Sequence, residues 1–148
     1  MRLMDSILIN CSQDSLYRFL SDVERHPEVL PGYLESRIVE QKDGFCVVQR
    51  EAIIRGKRRR WKSEVWFEEG KAIHFRQAEG LLKGMRVDWC LEHDSKMSRL
   101  KIIHELNLKP RWRGWWIERW VAKSAIEQTA RLVLEAIKNV AEKRIALA

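Results

Sequence analysis

The chain predicts an α+β domain in which a seven-stranded, curved antiparallel sheet wraps around a long C-terminal helix, with two short helices after the first strand. Three observations carry this. The run Leu20-Ser-Asp-Val-Glu-Arg-His-Pro-Glu-Val-Leu-Pro-Gly32 breaks an early helix with two prolines. From Ser36 to Leu108 the apolar period is two, interrupted only by short turn signals. The last segment, 113–145, holds no Gly or Pro after Gly114 and keeps a helical period.

Residues 4–10 alternate weakly and form the first strand. Ser12 is placed as a helix N-cap, with Cys11 and Leu16 as a hydrophobic staple and Asp14 in the positive first turn. Leu16, Phe19, Leu20 and Val23 follow at helical spacing and make one apolar stripe. Pro27 stops this helix, because the residue before a proline is pushed out of the helical region. Pro31-Gly32 ends a second short turn.

Strands are expected at 35–41, 45–54, 58–68, 71–79, 84–93 and 98–108. The breaks are Lys42-Asp43-Gly44, Arg55-Gly56-Lys57, Glu69-Gly70, Gly80 to Gly84 and Asp94-Ser95. Connections this short force antiparallel neighbours, since a parallel crossover needs a dozen or more residues. Ala122, Ile126, Thr129, Val133, Ile137 and Val140 then step down one face of the closing helix. Thirty helical residues span ~45 Å, enough to cross and cover one apolar sheet face.

Composition narrows the class. At 148 residues the chain is most simply one domain, large enough for a core without disulfides or metal. No apolar stretch reaches the ~20 residues of a membrane span. The N-terminus MRLMDSILIN lacks a secretory h-region. Cys11, Cys46 and Cys90 are odd in number and unpaired by spacing, which points to a reduced, cytoplasmic setting. The net charge of +7 attracts polyanions such as nucleic acid, anionic lipid or an acidic carrier protein, although 21 acidic residues are mixed in.

In this order of elements the chain resembles the START/SRPBCC helix-grip superfamily, which includes START lipid-transfer domains and the polyketide cyclase/dehydrase family. It is most similar there to the bacterial coenzyme Q-binding and ribosome-association toxin-like branch. The residues that carry the likeness are Ser6-Ile-Leu-Ile9, the Leu20–Gly32 run, Gly84-Met-Arg-Val-Asp-Trp89 and the closing helix. The resemblance covers residues 1–148 as a single ligand-binding domain and implies a cavity between sheet and helix for an apolar or aromatic molecule. Aromatase/cyclase members direct an intramolecular aldol condensation and dehydration, and carry a Trp-x-Ser-x-Arg-like pattern on a middle strand. The corresponding run here is Trp61-Lys-Ser63-Glu-Val65, with valine at the arginine position.

Alternation assigns the inner face. It carries Trp61, Ser63, Val65 and Phe67 on one strand and Ile73, Phe75 and Gln77 on the next. Met85, Val87, Trp89 and Leu91 follow, then Leu100, Ile102, His104, Leu106 and Leu108. An apolar wall with a few polar interruptions is how small-molecule sites are built. Trp61, Phe75, Trp89 and Leu106 are therefore the expected walls, and Ser63, Gln77 and His104 the orienting groups. His104 is also a possible general acid or base, against the plainer reading of a satisfied core histidine. Arg50 depends on register. A two-residue turn at Arg55-Gly56 or Gly56-Lys57 turns it inward beside Ser63, where it could bind a carboxylate or enolate. A three-residue turn presents Gln49 and Glu51 instead.

Two surface features stand apart. The run Arg55-Gly-Lys-Arg-Arg-Arg60 is a cationic hairpin tip, either a phosphate contact or a solvated turn. The segment Pro110–Trp120 interleaves Arg with Trp, which suits a membrane interface or a shield over one end of the cavity. There Trp115 is placed near the buried stripe, with Trp116, Trp120 and Leu134 on another side. The histidines at 26, 74, 93 and 104 lack metal-ligand spacing, and neither a P-loop nor GxGxxG or GxSxG occurs. No metal or cofactor is expected. The reading is a protein that binds a hydrophobic lipid, quinone or aromatic polyketide-like molecule, with a polyketide cyclase as the alternative. A module for a ribosome or membrane surface is third.

Overall fold

The computed structural model describes residues 1–79, 82–107 and 115–146, with the backbone alone at 115–118 and 146. Strand β1 (Arg2–Ile9) leads into helix α1 (Gln13–Ser21) and a 3₁₀ turn (Val23–Glu28). A meander follows: β2 (Tyr33–Lys42), β3 (Phe45–Ile54), β4 (Lys57–Glu68), β5 (Ala72–Gln77), β6 (Arg86–Asp94) and β7 (Met97–Glu105). Helix α2 (Trp115–Ala146) closes the chain. The strands form one antiparallel sheet in the order β1-β7-β6-β5-β4-β3-β2, so β7, the last strand of the meander, returns beside β1. Sheet, helix and the two short helices are those expected; the end of the 98–108 strand lies outside the described residues.

The local signals explain the early elements, with one correction. Ser12 caps α1 by accepting from Ser15 N at 3.2 Å, and Cys11 and Leu16 are both buried. A cap of this kind stabilises a helix by about 1 kcal/mol. The α-helix stops at Ser21 rather than at Pro27, which sits inside the 3₁₀ turn. Proline has no N–H to give Val23, so the chain tightens before it arrives. The backbone N–H groups of Val29 and Leu30 then both donate to His26 O, at 3.0 and 2.8 Å. Gly32 follows at φ +76°, where a Cβ would lie 2.6 Å from Ile53 O.

The turn joining β3 and β4 has two residues, Arg55 at φ 53° and Gly56 at φ 78°. Both positive values make a type I′ turn, whose twist matches that of the strands it joins. It pairs Ile54 with Lys57 and Arg50 with Trp61, which sets the face of every residue on β3.

Helix α2 packs chiefly along β1 and β7. Its fully buried line is Ala130, Leu134, Ile137 and Ala141, whereas Thr129, Val133 and Val140 are half-buried beside it. Leu134, expected on another side, is thus central to the core, and burying such a side chain is worth about 1.5–3 kcal/mol. Polar anchors set this rotation. Arg131 Nε donates to Asp5 Oδ2 at 3.0 Å and its Nη2 to Ser6 O at 3.0 Å. Lys138 Nζ donates to Leu8 O at 2.9 Å, and Glu142 accepts from Asn10 N at 3.1 Å. These three residues share one side of α2 and draw it toward β1.

Candidate functional site

Register lays the inner residues out in rows across the concave face. Arg50 faces Trp61, and the next row is Val48–Ser63–Gln77. Beyond it runs Cys46–Val65–Phe75–Val87–His104–Leu3, then Phe67–Ile73–Trp89–Ile102–Asp5. The alternation read for β4 to β7 is therefore the alternation of the sheet. Phe67 shares the inner phase but is 41% exposed, because it lies at the end of its strand.

The expected residues fall into two groups. The first centres on Arg50, which faces inward and is 3% exposed. Its guanidinium stands 4.9 Å over the ring of Tyr33 and 5.3 Å from that of Phe75. Phe75 meets Trp89 at 5.0 Å, and Tyr33 meets Trp61 edge-on at 5.9 Å. Among the described residues no carboxylate pairs with Arg50, and its buried Nη1 has no hydrogen-bond partner. A guanidinium keeps its charge, and a buried charge without a counter-ion is costly; two ring faces offset part of that by about 0.5–2 kcal/mol each.

The second group surrounds His104. A cavity of about 270 Å³ opens between β1, β7 and α2, lined by Leu3, Met4, Asp5, Ile102, His104, Ile126, Glu127 and Ala130. Burial pushes the His104 imidazole down to about 4, so the ring is neutral at physiological pH. Phe75 and His104 share a row with only Val87 between them, roughly 10 Å apart at the usual strand spacing. Ser63 and Gln77 are adjacent on the concave face; the Gln77 amide donates to Glu79 O at 3.2 Å. Leu106 lies past the end of β7, buried, its N–H bonded to Met1 O at 2.9 Å.

Two participants escaped the sequence reading. His26, on the 3₁₀ turn, is 2% exposed and stacks on Trp89 at 5.2 Å. Its Nε2–H donates to Leu20 O at 2.8 Å, while Nδ1 is buried with no hydrogen-bond partner among the described residues. Burial, then the charge of Arg50, pushes it down to about 3 against the support of the Leu20 bond. Tyr33, the first residue of β2, covers Arg50 from the other side. The His-Pro pair inside the Leu20–Gly32 run was the available signal for His26. A pocket between α1, the 3₁₀ turn and the end of α2 also reaches His26 and Trp89, with Arg18, Arg25 and Arg144 among its lining.

The surface features resolve in part. Arg58 and Arg60 at the basic hairpin both bind Glu51, which they hold below its ordinary carboxylate range. Trp120 is 71% exposed, whereas residues 108–114 and the side chains of Trp115 and Trp116 lie outside the described residues. Among the described residues no group of three His, Cys, Asp or Glu side chains could hold a metal. No described helix is long and apolar enough to cross a membrane.

This architecture recurs in solved structures. The Zhui aromatase/cyclase from Streptomyces sp. R1128 matches with a TM-score of 0.86 at 18% identity, over 98% of this chain and 95% of that one. A START superfamily protein from Mycobacterium smegmatis matches with a TM-score of 0.78 at 15% identity, over 99% and 97%. A STAR-related lipid transfer protein from Xanthomonas axonopodis matches with a TM-score of 0.70 at 13% identity, over 95% and 85%. At these identities the likeness is one of fold. No curated protein matches the sequence. The family model described as polyketide cyclase/dehydrase and lipid transport matches residues 9–138, and the chain belongs to that family.

Proposed function

We propose that the protein binds a hydrophobic small molecule on the concave face, of the lipid, quinone or aromatic polyketide-like class, with an acidic or carbonyl oxygen directed at Arg50. The observation that carries this is a buried cation with an open donor, held between aromatic rings and paired with no carboxylate among the described residues. A fold has no stabilising use for such a group, whereas a ligand oxygen would satisfy it. Val65 stands where the Trp-x-Ser-x-Arg pattern has arginine, and β3 supplies Arg50 to the same face, opposite Trp61. Apolar walls contribute about 25 cal/mol per Å² of buried area before ordering costs.

Calorimetric titration tests this with 2-naphthoate, a planar aromatic anion. The protein should bind it, and Arg50→Met should weaken binding by about 10-fold or more, as expected for a hydrogen bond to a charged group. Unchanged affinity in the variant would remove Arg50 from the site.

A second reading draws on His104. A neutral imidazole on the wall of the 270 Å³ cavity is able to accept a proton from a substrate carbon or hydroxyl. In an aromatase/cyclase, catalysis would come largely from holding the chain near attack geometry. His104→Gln would then abolish turnover of a poly-β-ketone thioester and leave its binding intact.

A further inference from the structure

Three buried side-chain atoms lack a hydrogen-bond partner among the described residues: His26 Nδ1, Ser36 Oγ and Arg50 Nη1. They belong to one neighbourhood. Ser36 and Arg50 are direct partners across β2 and β3. The Arg50 guanidinium and the His26 ring both lie against Phe75, at 5.3 and 6.4 Å. A buried polar group without a partner is costly, so three together call for an occupant that pairs them.

The chemistry of each atom defines that occupant. His26 Nε2 must carry its hydrogen, because its partner is the carbonyl oxygen of Leu20, which only accepts. In a neutral ring Nδ1 is then an acceptor alone. Arg50 Nη1 is a donor alone, and the Ser36 hydroxyl does either. We infer that His26, Ser36 and Arg50 form one polar subsite for a ligand that carries a hydroxyl donor beside a carbonyl or anionic oxygen. His26 Nδ1 accepts from the hydroxyl and Arg50 donates to the oxygen, while Phe75 and Trp89 offer ring faces on which a planar ligand rests. His26 is thereby a specificity-determining residue: a molecule with only acceptors leaves its lone pair unmatched. This deepens the proposed function and rests on it.

The test compares 2-naphthol with 2-methoxynaphthalene, which share an apolar body and an acceptor oxygen but differ in the donor hydrogen. Wild-type protein should prefer the naphthol by about 3- to 10-fold, the worth of one net hydrogen bond. His26→Phe should erase that preference while both compounds still bind. Should that variant not fold, ¹⁵N NMR of the wild-type imidazole gives the same answer. The His26 Nδ1 resonance should move upfield with 2-naphthol and stay in place with 2-methoxynaphthalene. A preference that survives in His26→Phe, or an unmoved Nδ1 resonance in the naphthol complex, overturns the subsite and leaves internal water as the partner of these atoms. If both compounds and 2-naphthoate fail to bind, the ligand-binding reading itself falls.

Discussion

The guanidinium of Arg50 rests 4.9 Å above the ring of Tyr33, on the concave side of a sheet where Trp61 faces it from the next strand. A cation so placed is a cost to the fold, one that the proposed ligand oxygen would offset. Arg50→Met keeps a long apolar stem and removes the buried charge. Its stability to unfolding should hold or rise, by as much as about 1–4 kcal/mol, as when buried charges give way to apolar side chains. A loss of more than about 2 kcal/mol in urea unfolding would show instead that the arginine serves the fold.

Asp5 and Arg131 join the first strand to the closing helix. Arg131 reaches both carboxylate oxygens, Nε at 3.0 Å and Nη2 at 2.5 Å. The pair is partly exposed, with side chains 32% and 42% accessible, so solvent screening limits it. A double-mutant cycle with Asp5→Asn and Arg131→Gln should give a coupling of about 1 kcal/mol, above the usual surface pair because the contact is bidentate. A coupling near zero would mean that α2 is oriented by its apolar line alone.

Acid should destabilise the protein earlier than its carboxylates require. His26 and His104 have folded-state values of about 3 and about 4, both lowered from 6.5. Between 6.5 and these values the unfolded chain binds protons that the folded chain refuses. Stability is therefore complete above about pH 6.5 and declines as pH falls, at up to about 1.4 kcal/mol per pH unit for each histidine. Glu28, Glu51, Glu92 and Glu142 are held below their ordinary 4.5 by hydrogen-bonded Arg or Lys partners, so their share is lost only below that value. Urea midpoints measured from pH 7 to pH 4.5 isolate the histidines. His26→Phe should remove about half of the slope, and an unchanged slope would contradict its buried neutral state.

Gly32→Ala tests the entry into β2. The residue sits at φ +76°, and an added Cβ would meet Ile53 O at 2.6 Å, beside the 2.8 Å bond from Ile53 N to Gly32 O. Left-handed backbone alone costs a non-glycine residue about 1–2 kcal/mol, and the clash adds to it. The variant should lose at least about 2 kcal/mol by chemical denaturation; wild-type stability would mean that the β2–β3 junction yields freely.

Much of this was legible because period-two alternation names faces directly. Trp61, Ser63, Phe75, Gln77, Trp89 and His104 share the concave phase as read. Arg50 was undecided only because its face hangs on turn length, and the type I′ pair Arg55-Gly56 decides it. Ser36 was hidden by register shifts on β2, between Tyr33 and Glu35 and again between Ile38 and Glu40, which scramble simple alternation. His26 was hidden for another reason: a 3₁₀ turn has too few residues for a period to reveal its buried side. The helix stripe was misplaced by one residue because Arg131 and Lys138, polar groups that hydropathy sends outward, bind β1 and set the rotation.

The most direct measurement is native mass spectrometry of the purified protein, joined to organic extraction and identification of whatever accompanies it. A stoichiometric apolar compound bearing an acidic or carbonyl oxygen should copurify with the wild type and be lost in Arg50→Met. A bare mass that persists after incubation with 2-naphthoate, a quinone and a fatty acid would contradict it.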